Sequence, residues 1–110
     1  MAVQLVAHED IDTLTRLIVQ EYQPDSIILF GSRARGEASE ESDIDLLVVC
    51  DREKDTPRPR RGRELRRKLA KVPYPFDLLI YSREELERYS NVPQSFSATV
   101  LREGVVLYGQ

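Results

Sequence analysis

Residues 31–49 read Gly31-Ser-Arg-Ala-Arg-Gly-Glu-Ala-Ser-Glu-Glu-Ser-Asp-Ile-Asp-Leu-Leu-Val-Val49. The last seven residues begin with two aspartates two positions apart, Asp43 and Asp45, and continue as an apolar run. This pattern predicts a buried strand with both carboxylates on one face, because successive side chains of a strand alternate between its faces. Paired carboxylates supply the oxygen ligands that a hard divalent cation prefers. The segment therefore predicts a cation site at the beginning of a strand.

The residues before this strand predict a binding site for phosphate groups. Residues 26–30 have the apolar character of an earlier buried strand, so Gly31 and Ser32 fall in a strand-to-helix turn. Glycine lets the backbone approach a ligand closely, and serine can cap the next helix while amide N–H groups bind an anion. Arg33 and Arg35 follow directly. Because guanidinium groups match phosphate oxygens in pairs, we expect a triphosphate to bind here.

A plainer interpretation stays open from the residues alone. In it Ser32 is an ordinary helix N-cap, the two arginines are surface residues and the two aspartates belong to a turn. The spacing argues against this interpretation. A Gly-Ser pair followed after ten residues by Asp-x-Asp would occur by chance in about one chain of this length in a thousand.

The segments 31–36 and 42–48 resemble the signature of the minimal nucleotidyltransferases, a branch of the DNA polymerase beta superfamily. The resemblance extends over most of the chain, because Asp77 in Phe76-Asp-Leu-Leu-Ile80 falls where the family carries its third carboxylate. It implies an α/β fold in which a small mixed β-sheet is flanked by helices. We expect residues 1–110 to form a single domain of this kind.

The resemblance also implies roles for individual residues. Gly31 and Ser32 would hold the nucleotide phosphates, and Asp43 and Asp45 would ligate metal. Asp77 would complete the metal site and activate the hydroxyl group of the acceptor. Family members transfer a nucleoside monophosphate from a nucleoside triphosphate and release pyrophosphate.

The composition is consistent with this chemistry. Two Mg²⁺ ions about 3.5–4 Å apart can neutralise the attacking and leaving oxygens of a phosphoryl transfer, and three aspartates on neighbouring strands suffice to hold them. The chain contains one Cys and one His, so a structural zinc site cannot form within it. We therefore expect Mg²⁺ as the metal, and the resemblance implies ATP as the nucleotide donor.

The size of the chain limits what it can do alone. At 110 residues and 41% apolar content, it can form one core, and no apolar segment approaches the 18 or so residues of a membrane span. The N-terminal residues lack the pattern of a signal peptide. We expect a cytoplasmic protein without a membrane anchor.

Larger relatives hold the acceptor on an additional domain, and the predicted catalytic domain takes up the whole of this chain. We therefore expect another molecule to supply the acceptor. The resemblance implies a partner encoded alongside, a helical HEPN ribonuclease toxin, with this chain as its antitoxin. The first hypothesis is therefore transfer of AMP from ATP to a hydroxyl, such as that of a tyrosine, on that partner.

Two alternatives remain. The chain could be a non-catalytic antitoxin that masks its partner. It could also modify a small molecule such as an aminoglycoside, for which a second domain or a homodimer would have to build the pocket.

Charge is distributed unevenly along the chain. Residues 52–71 carry a net charge of +7, whereas the whole chain carries −3. Such a segment could steer a nucleotide, an RNA or an acidic partner, or it could be a solvated loop and the outer face of a helix. It contains no aromatic residues, so we do not expect direct nucleic-acid binding.

Apolar spacing and helix caps predict the remaining elements. The sequence predicts helices over residues 9–22, 62–71, 83–89 and 94–103, and strands over residues 26–30, 43–50, 76–81 and 105–108. The helix after Ser82 rests on a capping box with Glu85, and Gly104 closes the last helix.

Overall fold

A computed structural model describes residues 2–36 and 43–109 of the chain. The helices are α1 (Ala2–Tyr22), α2 (Arg63–Lys68), α3 (Arg83–Arg88) and α4 (Phe96–Glu103). The strands are β1 (Ser26–Phe30), β2 (Ile44–Val49), β3 (Phe76–Tyr81) and β4 (Val105–Tyr108). Short 3₁₀ turns cover Arg58–Arg60 and Leu69–Lys71.

The four strands form one mixed sheet in the order β3-β2-β1-β4. β2 and β3 run parallel, whereas β1 pairs antiparallel with both β2 and β4. The α/β fold with a small mixed sheet is therefore confirmed. The pairing sets Asp45 opposite Phe30 on one side and opposite Asp77 on the other.

Both faces of the sheet are covered by helices, which is why the central strands are apolar on both sides. One face packs against α1 and α2 around a cluster that includes Leu14, Ile18, Leu46, Leu65 and Ile80. The other face carries a smaller cluster made of Ile28, Leu47, Val49, Leu86 and Val100. Alternation along β2 and β3 places Asp45 and Asp77 on this second face, beyond the end of the smaller cluster.

The predicted elements agree with the structure except at their ends. α1 begins at Ala2, seven residues earlier than predicted, and ends at Tyr22 as predicted. α2 stops at Lys68 and continues as a 3₁₀ turn through Lys71, although Leu65 and Leu69 are buried as expected. The capping box of α3 is confirmed, since Ser82 and Glu85 exchange both hydrogen bonds.

One arginine of the basic segment is buried, contrary to the picture of a wholly solvated loop. Arg61 is 3% exposed, and its five N–H groups all have acceptors: both carboxylate oxygens of Glu85 and the carbonyl oxygens of Lys54, Thr56 and Ile80. Burying a charge requires such complete pairing. The loop after β2 is thus attached to the end of β3 and to α3.

A membrane-spanning helix is not found among the described residues, because none of their helices combines the necessary length and apolar character.

Candidate active site

The site is built where β1 ends and β2 begins. Gly31 follows β1 with φ +79°, a conformation that other residues adopt only at a cost. A β-carbon on Gly31 would overlap the carboxylate of Asp45. The turn therefore approaches Asp45 more closely than any residue with a side chain would allow.

Residues 31–36 form successive turns. The amide groups of Ala34 and Arg35 both donate to the carbonyl of Gly31, at 3.1 and 3.2 Å. The predicted helix after Ser32 is not formed within these residues, and its continuation through residues 37–42 lies outside the described residues. Ser32 is half-buried in the turn.

The two predicted arginines lie in the same turn. The positive charge of Arg35 offsets part of the rise in the pKa of Asp45 that burial and the neighbouring carboxylates cause, so its guanidinium group acts on the carboxylate site. The Nη1 atom of Arg35 also lies 3.9 Å from Oε1 of Glu103, the last residue of α4. Arg33 is half-buried. The turn thus brings positive charge towards Asp45.

Asp45 and Asp77 form a carboxylate pair across the parallel strands β2 and β3. Burial, the charges of Asp77 and Asp43, and a hydrogen bond with Asp77 together raise the pKa of Asp45. Two carboxylates that share a hydrogen bond resist being ionised together, because their negative charges repel each other. Asp43, immediately before β2, and Asp77 are exposed, whereas Asp45 is half-buried. The three predicted aspartates therefore act on one another at the same end of the sheet.

This donor set fits a hard cation. Mg²⁺ binds through one or two carboxylates and keeps several waters, so the pair formed by Asp45 and Asp77 offers it suitable ligands. In the part of the chain that the structure describes, no three Asp, Glu, His or Cys side chains converge as a ready-made metal cage. Ligation by all three aspartates stays a prediction.

An open cleft of about 430 Å³ lies over the carboxylate pair. Its lining residues are Phe30, Asp45, Arg66, Phe76, Asp77, Leu78 and Leu79. Phe30 packs edge-to-face on Phe96 at the start of α4, with ring centroids 5.3 Å apart, which connects the end of β1 to the helix above it. The cleft therefore offers apolar walls beside an anionic floor.

Among the described residues that line the cleft, Arg66 is the one charged residue that was not predicted from the sequence as a site residue. It belongs to α2, and its Nη2 donates to the carbonyl of Leu78 at 2.8 Å. In the sequence it is one of ten basic residues between Arg52 and Lys71. Charge alone does not distinguish it from the others, because only the packing of α2 beside β3 places it in the cleft.

A mixed sheet with paired aspartates on neighbouring strands, beside a glycine turn, is the architecture of a nucleotidyltransferase domain. The chain belongs to this family: residues 12–110 match the model of the "Polymerase beta, Nucleotidyltransferase" family.

Curated relatives agree with this assignment. The chain is 40% identical over 84 residues to a "Putative protein adenylyltransferase" of Methanocaldococcus jannaschii, which covers 74% of this chain and 76% of that protein. A second protein of the same name and organism is 53% identical over 36 residues. That match spans 33% of this chain and 36% of the relative's own length.

Two solved structures share the fold. A "putative nucleotidyltransferase from Sulfolobus solfataricus" superposes with a TM-score of 0.71 at 20% identity, covering 99% of this chain and 86% of that chain. A "toxin-antitoxin with AMP-PNP" superposes with a TM-score of 0.57 at 21% identity, covering 90% of this chain and 73% of that chain.

Proposed function

We propose that this chain is a Mg²⁺-dependent protein adenylyltransferase. It transfers AMP from ATP to a hydroxyl group on a partner protein and thereby acts as the cytoplasmic antitoxin of a HEPN ribonuclease toxin encoded alongside it. The observation that carries the proposal is the carboxylate pair of Asp45 and Asp77 directly beside the Gly31 turn. Residues 1–110 act as a single catalytic domain in this proposal.

The residues of the turn bind the donor nucleotide. Gly31 and Ser32 lie against its phosphates, and Arg33 and Arg35 offset their charge. Asp43, Asp45 and Asp77 hold Mg²⁺, which supplies charge neutralisation for the triphosphate when bound. Burial and the charges of Asp77 and Asp43 raise the pKa of Asp45, so a cation among the three carboxylates also removes an unfavourable interaction.

Asp77 holds the acceptor hydroxyl and takes its proton. The hydroxyl oxygen forms a bond to the α-phosphorus of ATP while the bond between that phosphorus and the bridging oxygen to the β-phosphorus breaks. AMP becomes attached to the acceptor, and pyrophosphate leaves with the electron pair of the broken bond. Asp77 is suited to this role because it is exposed on the edge strand β3, where an acceptor can reach it.

The comparisons support a protein as the acceptor. The curated relatives carry the name of protein adenylyltransferases, and one of the structural neighbours is a toxin-antitoxin structure with AMP-PNP. These names describe those proteins, and we extend them to this chain as part of the proposal.

The test is label transfer from α-labelled and, separately, γ-labelled ATP with Mg²⁺, in host-cell lysate or with the product of the neighbouring gene. We compare the wild type with the double variant Asp43→Asn/Asp45→Asn. Asp55→Asn is the matched control, because Asp55 is an exposed aspartate in the loop beyond the opposite end of β2.

Label on a protein from α-labelled but not γ-labelled ATP, lost in the double variant and kept in the control, supports the proposal. Absence of any labelled protein, with a partner that still co-purifies, contradicts it and favours masking. Label found only on a small molecule favours the transferase acting on compounds such as aminoglycosides.

A further inference from the structure

The outer edge of β3 is occupied by arginine side chains. The carbonyls of Pro75 and Tyr81 accept hydrogen bonds from β2, so the carbonyls of Leu78 and Ile80, which alternate with them, face away from the sheet. Arg66 donates to the first of these outer carbonyls, and Arg61 donates to the second. An incoming chain therefore cannot pair with these two carbonyls without displacing the arginine side chains.

Arg66 is held in place at this edge. Its Nη2 donates to Leu78 O at 2.8 Å and its Nε donates to Arg61 O at 3.2 Å. Both partners are backbone carbonyls, and no carboxylate lies within ion-pair distance of Arg66 among the residues that the structure describes. An arginine has five N–H donors, so three remain for another molecule. The side chain is half-buried and lines the same cleft as Asp45 and Asp77.

The position of Arg66 in the sheet separates it from the phosphate turn. Gly31 directly follows β1, Asp77 lies on β3, and β2 runs between these two strands. Neighbouring strands are about 4.8 Å apart, so β1 and β3 are separated by about 10 Å and Arg66 lies beyond β3. It therefore lies across β3 from the Gly31 turn, on the side where the proposed function places the acceptor.

We propose that Arg66 binds the acceptor through an anionic group next to the hydroxyl that is modified. This inference rests on the proposed function and names its substrate class: a protein segment with an aspartate, a glutamate or a phosphorylated residue close to the acceptor hydroxyl. A guanidinium group fixed by two backbone bonds binds carboxylate or phosphate oxygens with little loss of side-chain entropy. It also offsets the negative charge that Asp77 presents to an acidic acceptor.

The test uses peptides with a central tyrosine, serine or threonine. One flanking position at a time is fixed as Asp, Glu, Gln, Lys or phosphoserine, and the other positions are degenerate. Label from α-labelled ATP is measured for the wild type, Arg66→Gln and Arg66→Glu. Arg66→Gln keeps an amide donor for Leu78 O while it removes the charge. Arg67→Gln is the matched control, since Arg67 lies on the same helix, is 70% exposed and pairs with Glu64.

We expect the wild type to prefer an acidic residue over glutamine by about tenfold or more at one flanking position, the loss expected for one charge-assisted interaction. Arg66→Gln should abolish this preference, Arg66→Glu should shift it to lysine, and Arg67→Gln should keep it. The phosphoserine peptides show whether a phosphate is preferred to a carboxylate. AMP-PNP affinity, measured by calorimetry, should be unchanged within about twofold in Arg66→Gln.

Several results would overturn the inference. The first is that the wild type shows no preference for an acidic flanking residue, and the second is that this preference survives in Arg66→Gln. The third is a tenfold loss of AMP-PNP affinity in Arg66→Gln, which would place Arg66 on the donor side. If no peptide is labelled but a lysate protein is, equal rates for the wild type and Arg66→Gln on that protein overturn it. Label on neither peptide nor lysate protein would instead show that the proposed function has failed.

Discussion

Gly31 combines two constraints in one residue. Its φ of +79° disfavours other residues, and the space for a β-carbon is already taken by the carboxylate of Asp45. Gly36 has a similar φ of +74° but is exposed. Gly36 therefore provides a comparison at a similar backbone conformation.

Gly31→Ala should destabilise the fold and displace Asp45. The positive φ contributes about 1–2 kcal/mol of strain, and the new methyl group must move the Asp45 carboxylate. We expect AMP transfer to be lost and the free energy of unfolding, measured by urea titration, to fall by at least that amount. Gly36→Ala adds a β-carbon at a similar positive φ in an exposed position, and it should lower stability but retain transfer. Equal activity in Gly31→Ala and the wild type would contradict the close approach of the turn to Asp45.

Asp77→Asn should preserve the fold and abolish transfer, because it removes the proposed base and a metal ligand at nearly constant volume. We expect the rate to fall by about a hundredfold or more.

The charge of Asp77 also raises the pKa of Asp45, so the stability contributed by Asp45 declines as pH rises through that pKa. Removing the charge should lower the Asp45 pKa, measured by carboxyl NMR titration, and stabilise the metal-free domain at pH 7. An unchanged Asp45 pKa or wild-type activity would contradict these roles.

At the scale of elements, α3 is joined to the loop after β2 by one buried ion pair. Arg61 Nη1 lies 2.6 Å from Glu85 Oε1, and the same oxygen accepts the capping hydrogen bond from Ser82 N at 2.8 Å. The hydrogen bond from Arg61 is the main cause that lowers the pKa of Glu85 to about 2. The Glu85 carboxylate thus both caps the N-terminus of α3 and pairs with the buried Arg61.

Glu85→Gln should destabilise the protein in a pH-dependent way. Because the folded pKa is depressed from 4.5 to about 2, the stability linked to this carboxylate is present above about pH 4.5 and is lost as pH falls towards 2. We expect a loss of about 3 kcal/mol at pH 7 that shrinks across this window in urea titrations. Glu84→Gln is the control, since Glu84 is 79% exposed and forms a surface pair with Arg88. A constant difference between pH 7 and pH 3 would contradict the assignment.

At the scale of the whole molecule, the residues that form the core and the carboxylates of the candidate site occupy different parts of the sheet. The apolar clusters occupy one face and the covered part of the other, whereas the carboxylates lie at one end of the strands. Charges gathered at that end repel one another without a cation. The site is therefore expected to be the part of the molecule whose stability depends most on ligands.

Mg²⁺ with AMP-PNP should stabilise the wild type. At a hundredfold excess over Kd, a ligand that binds only the folded state contributes about 2.7 kcal/mol, which raises Tm by roughly 10 °C for a domain of this size. Calorimetric scans should show this shift, and a chelator should reduce it. Asp45→Asn/Asp77→Asn should show little response to Mg²⁺. A shift that the chelator does not change would contradict the role of the metal.

Local residue patterns were sufficient to predict most elements of the fold. The strands from Ser26 and Phe76 were predicted with their observed bounds, because apolar runs between turn residues have few alternative structures. The spacing of Gly31, Asp43 and Asp45 indicated a site for a cation and phosphate groups, and its resemblance to the signature of the minimal nucleotidyltransferases indicated the class of chemistry. The capping box of α3 was likewise predicted, because its hydrogen bonds join residues three apart.

Tertiary structure alone decided the strand order, the pairing of Asp45 with Asp77 and the burial of Arg61. These features join residues that are far apart in the chain, so no local pattern specifies them. Arg66 shows the same limit: it resembles its basic neighbours in the sequence, and only the packing of α2 beside β3 brings it to the cleft. Short-range chemistry thus determined the elements and the carboxylate motif, whereas long-range packing determined which charges meet.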